Sequence, residues 1–113
     1  MQPSLDSSNQ LFKAFADPTR LRILNLLREG ELCVCRLIEV LEIPQSRISR
    51  HMAYLRQAGL VELREEGTWN FYRLAEPSSG LHSRLVDCVS DCLAEIRQLK
   101  ADMRKLGRIG SRV

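Results

Sequence analysis

The chain has 113 residues, 44 % of them hydrophobic and 27 % charged, a balance that fits one globular domain and excludes a disordered or multidomain chain. Seventeen Lys and Arg against fourteen Asp and Glu leave a formal charge of +3, compatible with a polyanionic partner; no apolar run approaches the roughly 18 residues of a membrane helix. The opening MQPSLDSSNQ lacks the basic and apolar regions of an export signal, so the four cysteines, Cys33, Cys35, Cys88 and Cys92, are expected as reduced thiols of a cytoplasmic protein.

A first helix is expected over Ser7–Ala16, where Leu11, Phe12 and Phe15 share a face. Asp17-Pro18 then supplies an N-cap and a first helical residue. The second helix carries Leu21, Ile23, Leu24 and Leu27 to Arg28, and Gly30 closes it. A short third helix over Val34–Glu42 buries Leu37, Ile38 and Leu41, and Pro44 forces a break at Ile43. The fourth spans Gln45–Gln57 with Ile48, Met52 and Leu55 inward, and Gly59 ends it. Two helices joined by so short a turn form a helix-turn-helix. Leu60–Glu65 alternates as a strand, Glu66-Gly67 makes a tip, and Thr68–Leu74 returns as a second strand. Trp69, Phe71 and Tyr72 read as packing residues of that strand. After a loop at Pro77–Gly80, Leu81–Leu106 reads as one long helix and Gly107–Val113 as a frayed tail. The expected fold is mostly α with a small β-hairpin, a winged helix-turn-helix forming a single domain over residues 1–113.

On the last helix, Leu85, Val89, Cys92, Ile96, Leu99, Met103 and Leu106 alternate spacings of four and three, a heptad seam. Such a seam can pack on its own domain or on its twin in a homodimer. The second is preferred, because a domain this small has little core left to absorb the stripe, which makes residues 81–106 a dimerisation helix.

The outward residues of the fourth helix are Gln45, Ser46, Arg47, Ser49, Arg50, His51 and Tyr54, and no acidic residue occurs from Gln45 to Leu60. Arg can bond guanine bidentately, Gln can bond adenine, and Ser can reach a base or a phosphate. A carboxylate would be repelled by a polyanion, so the acid-free face suits double-stranded DNA. Gln45, Ser46, Arg47, Ser49, Arg50 and His51 are the expected groove contacts. Arg64 and Arg73 in the strands could hold neighbouring phosphates, while Glu65 and Glu66 at the tip limit such contacts.

FADPTRLRILNLL, GELCVCRL and PQSRISRHMAYLRQAGLVELREEGTWNFYRL, with Ser49-Arg50-His51 followed by Leu55-Arg56 and Ala58-Gly59-Leu60, resemble the ArsR/SmtB family of metal-responsive repressors over residues 10–106. The resemblance implies a homodimeric repressor that binds an imperfect palindrome and releases it when an inducer binds. Half-sites would lie about one helical turn apart, or a multiple of that. ELCVC resembles the arsenite-responsive branch, in which thiolates on this helix bind trivalent arsenic or antimony. No other cofactor is implied.

Soft thiolates select thiophilic ions, but geometry sets a condition. Residues two apart on a helix point about 200° apart, so both sulfurs reach one ion only if Cys33 lies before the first turn or that turn unwinds. The branch often has a third cysteine where this chain has Ile38. Three readings follow. Cys88 or Cys92 supplies the third sulfur; or the terminal helices form a separate soft-metal site from two chains; or Cys33 and Cys35 act alone, for instance on an organoarsenical. His82 with Asp87, Asp91 and Glu95 is too poor a set for zinc, and His82 is expected exposed.

Alternative triggers on the same fold are cadmium or lead, and thiol oxidation or reactive sulfur. An enzyme is not expected. Cysteine-based phosphate chemistry wants an Arg six residues on, and Glu39, Leu41, Ala94 and Gln98 stand there. No other catalytic constellation is present.

Overall fold

A computed structural model describes residues 4–109. Ser4 opens α1 (Leu5–Phe15) with a capping box in which Ser4 Oγ accepts from the Ser7 amide. Asp17 caps α2 (Pro18–Leu27) through the Arg20 amide at 3.0 Å, with Pro18 at the first helical position. Two residues the sequence did not mark as a strand, β1 (Leu32–Cys33), lead directly into α3 (Val34–Leu41). Glu42 ends α3 in the left-handed region at φ 55°, and Pro44 opens α4 (Gln45–Gln57). The tight α3–α4 connection therefore comes from one strained residue followed by one fixed dihedral.

Strands β2 (Val61–Glu66) and β3 (Trp69–Leu74) form the hairpin, turning at Gly67 with φ 61°, a conformation that favours glycine. β3 is the central strand of three, pairing antiparallel with β2 on one side and with β1 on the other. In register, Phe71 lies between Cys33 of β1 and Arg64 of β2. Phe71 and Tyr72 are buried as expected, whereas Trp69 is 56 % exposed at the wing tip.

The core gathers Ile23, Leu24, Leu26 and Leu27 of α2, Leu37 and Leu41 of α3, and Ile48, Met52 and Leu55 of α4. Burying each of the α4 side chains contributes about 1.5–3 kcal/mol, so α4 is clamped by its inner face while its outer face stays in solvent. Phe12 departs from expectation: Leu11 faces the core, but Phe12 is half exposed.

The single long helix is corrected to two. α5 (Gly80–Asp91) ends where the Cys88 carbonyl accepts from both Cys92 and Leu93 amides, and α6 (Arg97–Ile109) starts afresh. No Gly or Pro occupies residues 92–96, so the break is imposed by tertiary contacts. On α6, Asp102 accepts from Arg22 at 2.8 and 3.0 Å, and the Leu99 carbonyl accepts from buried Asn25 at 3.1 Å. Lys105 reaches Glu42 at the end of α3. These bonds, with Leu99 and Leu106 buried, fold α6 back onto α2 and α3.

The heptad seam is thereby divided. Val89, Leu99 and Leu106 are buried within the chain, Leu85 and Met103 pack at the core's edge, and Cys92 and Ile96 remain exposed. α6 continues through Gly107 to Ile109, and the rest of the expected tail lies outside the described residues. Among the described residues no helix is long and apolar enough to cross a membrane.

Candidate nucleic-acid interface and thiol site

The inner face of α4 fixes what the outer face presents. With Ile48, Met52 and Leu55 inaccessible to solvent, Gln45, Ser46, Arg47, Ser49 and Arg50 are all exposed. Among the described residues none of their side chains is engaged in a hydrogen bond or ion pair within the chain. Two unpaired guanidiniums, an amide and two hydroxyls thus line one end of an acid-free helix, free to bond an external polyanion.

His51 is placed differently from its neighbours. Its Nδ1 lies 3.3 Å from Arg20 Nη1 and 3.9 Å from Asp17 Oδ1. A guanidinium can only donate, so Nδ1 accepts and the neutral ring carries its proton on Nε2. Burial lowers the His51 pKa, with Arg20, Arg47 and Arg50 pushing the same way against Asp17. Burial alone would raise Asp17, but the Arg20 amide and guanidinium, with His51, hold it below the usual carboxylate range.

The wing arginines are already engaged. Arg64 bonds Glu31 at 2.7 and 3.0 Å and Glu66 at 2.9 Å, and its guanidinium sits 4.4 Å over the Phe71 ring. Glu31 is correspondingly held below its ordinary pKa, chiefly by Arg64. Arg73 bonds Glu62 at 2.9 Å. A phosphate would have to compete with these carboxylates, which makes the hairpin a weaker electrostatic surface than α4. The sequence signalled only Glu65 and Glu66 as limits; Glu31 was missed because it lies 33 residues from its partner.

Cys33 meets the geometric condition set by its spacing. It is the N-cap of α3, with extended backbone at φ −68° and ψ 146°, and its Sγ accepts from the Cys35 amide at 3.3 Å. Its side chain is therefore released from the 100° helical rotation that would turn it from Cys35. The two thiols interact directly. Burial pushes the Cys35 thiol up, Cys33 pushes it further, and the Arg36 charge and amide at the helix start oppose them without prevailing. The raised pKa favours the protonated form of Cys35, so a ligand that takes its sulfur must handle that thiol proton.

Cys88 and Cys92 form a second pair, one turn apart where α5 ends. The Cys88 thiol, donating toward Cys92, is held above its ordinary pKa by that interaction first and by burial second. They line an open cleft with Ser83, Arg84, Asp87 and Asp91. Among the described residues no three His, Cys, Asp or Glu side chains gather closely enough to hold a metal ion. The chain itself therefore does not bring Cys88 or Cys92 to Cys33 and Cys35 as a third donor. His82, expected exposed, is wholly buried: Nδ1 accepts from the Ser78 amide at 3.2 Å, and Nε2 has no partner among the described residues. It sits on the first turn of α5, where Ser79 caps the helix through the His82 amide.

The family model described as "Bacterial regulatory protein, arsR family" matches residues 17–62, from the cap of α2 through α3 and α4 into β2. The arsenical resistance operon repressor of Escherichia coli is 44 % identical over 100 residues, covering 88 % of this chain and 84 % of that protein. An uncharacterized HTH-type transcriptional regulator of Methanocaldococcus jannaschii is 48 % identical over 83 residues, covering 73 % of this chain and 93 % of that one. In three dimensions, the homodimeric winged helix-turn-helix DNA-binding domain of a possible ArsR-family regulator from Mycobacterium bovis superposes with a TM-score of 0.69 at 34 % identity. That match covers 80 % of this chain and 82 % of the other. Together with the helix-turn-helix and its wing, these likenesses place the chain in the arsR family of bacterial regulatory proteins: it is a DNA-binding transcriptional regulator and not an enzyme.

Proposed function

We propose that this chain is a homodimeric, cytoplasmic repressor that holds a palindromic operator through α4 and lets go when trivalent arsenic or antimony binds Cys33 and Cys35. The observation that carries this reading is the N-cap position of Cys33, which sets its sulfur beside Cys35 at the head of the helix that packs against α4. The arsenical resistance repressor among the relatives supports the same inducer class. Groove contacts fall to Gln45, Ser46, Arg47, Ser49 and Arg50, with His51 held from behind, and Arg64 and Arg73 contribute less. The homodimeric relative supports pairing, and exposed Ile96 leaves the terminal helices available for it.

The raised Cys35 pKa favours a metalloid over cadmium or lead. Arsenous acid brings its own hydroxides: As(OH)₃ with two thiols gives a dithiolate As–OH and two waters, each thiol proton leaving on a hydroxide. No net proton is released. Cd²⁺ or Pb²⁺ must expel those protons to solvent, so a thiol reluctant to ionise penalises them. A third sulfur, which would then have to come from the partner chain, is an addition and not a requirement. Release of operator DNA should therefore occur at an arsenite concentration nearly independent of pH between 6.5 and 8. With cadmium the required concentration should fall as pH rises. Cys33→Ser with Cys35→Ser should abolish release by arsenite; release that survives both changes refutes the assignment.

The Cys88–Cys92 hydrogen bond supports a second, separate soft-ion pair at the end of α5. Arsenite bound per chain should fall from two equivalents to one in Cys88→Ser/Cys92→Ser if that pair binds, and stay at one if it does not.

A further inference from the structure

Arg20 of α2 bonds both the end of α1 and the side of α4. Its side chain is only 12 % exposed. Nε donates to the Ala14 carbonyl at 2.9 Å and Nη2 to the Lys13 carbonyl at 3.0 Å, so it caps the last turn of α1. Nη1 donates to His51 Nδ1 at 3.3 Å and stands 3.9 Å from Asp17 Oδ2. The flat face of the guanidinium lies 4.1 Å from the centre of the Tyr54 ring. One planar group thus ties the end of α1 and the start of α2 to two successive turns of α4.

The grip is well placed to matter for recognition. Arg47, His51 and Tyr54 are spaced i, i+4 and i+7, so they lie along one row of α4. Arg47 stands about 6–10 Å along the helix from the two held residues at 1.5 Å per residue. A tilt of about 10° at the grip would move Arg47 by roughly 1–2 Å, enough to spoil a bidentate base contact whose geometry is fixed to a few tenths of an ångström. A phosphate contact tolerates such a shift far better.

We propose that Arg20 is a positioning residue for DNA recognition, setting the angle of the reader helix through His51 and Tyr54 without touching DNA itself. The proposal rests on α4 being the reader. Lysine cannot replace arginine here, because a point charge cannot donate to two carbonyls and a ring nitrogen while stacking on an aromatic face.

The test uses the full chain, an operator duplex selected from a random pool by the wild-type protein, and a random-sequence duplex of equal length. Arg20→Lys and Arg20→Gln, confirmed folded by urea titration, should bind the operator about tenfold more weakly, the effect of a coupling in the range of contacting residues. Binding to the random duplex, and the slope of affinity against salt, should not change. Unaltered operator affinity, or a salt slope reduced by about one, overturns the proposal, the second by showing a direct phosphate contact. Tyr54→Ala, at a position 38 % exposed and likewise confirmed folded by urea titration, gives a second route: with Arg20→Lys its effect should be non-additive, and additive losses overturn the proposal. Arg47→Ala separates the two readings. If it leaves operator binding intact, α4 is not the reader; if it weakens binding and the Arg20 variants do not, only the positioning role fails.

Discussion

Asp102→Ala tests the fold-back of α6. Asp102 is 3 % exposed and accepts three hydrogen bonds, two from Arg22 and one from Gln98 at 2.9 Å. Removing one partner of a buried pair costs about 3–5 kcal/mol, because the other charge is left without compensation. The Arg22 side chain is 22 % exposed and can turn partly to water, which places the cost near the lower end, about 3 kcal/mol. The neighbouring Asn25 bond to the Leu99 carbonyl and the buried Leu106 remain, so α6 should loosen before the rest of the domain. Urea unfolding at fixed protein concentration should show the loss, and amide exchange should accelerate over Leu99–Leu106 more than over Ile48–Leu55. A loss below about 1 kcal/mol, with unchanged exchange in α6, would mean that this helix is not docked by the Arg22–Asp102 pair.

Arg47→Ala should weaken operator binding by about 1–3 kcal/mol if it reads a base; an equal loss on random DNA makes it a phosphate contact. Cys33→Ser keeps an N-cap acceptor, and serine is a preferred cap, so thermal stability should change by less than about 1 kcal/mol while inducer response is lost. Cys33→Ala, which removes the acceptor, should destabilise α3, and equal stability of the two variants would deny the capping role. Burial lowers the pKa of His82 and His51 below the ordinary 6.5. The unfolded chain then takes up protons first, so stability is complete above about pH 6.5 and declines as pH falls below it until the folded rings also protonate. Urea midpoints that stay level from pH 7.5 to 5 would contradict both shifts, and His82→Gln should flatten part of the slope.

Local chemistry made the helix-turn-helix legible. Asp17-Pro18 and the apolar triad Ile48, Met52 and Leu55 each act within a few residues, so α2 and α4 fall where the sequence places them. The Cys33 condition was also legible, because helical rotation alone demands that it sit before the first turn. What the sequence could not disclose depends on distant partners. The break after Asp91 has no local breaker and arises from Arg22 and Asn25, more than 70 residues away. β1 is two residues long and exists only because β3 offers an edge. Glu31 beside Arg64 and Arg20 at His51 Nδ1 are likewise partners from more than 30 residues away, which no local pattern marks.

The proposed coupling between the thiols and operator binding by α4 is tested most directly by watching both events in one sample. Arsenite is titrated into the protein bound to fluorescently labelled operator, with arsenic–thiolate absorbance and operator anisotropy recorded together. The two curves should share a midpoint, and both should vanish in Cys33→Ser/Cys35→Ser. Absorbance that saturates while anisotropy stays at its bound value would show the sulfurs filled and the operator still held, contrary to the mechanism.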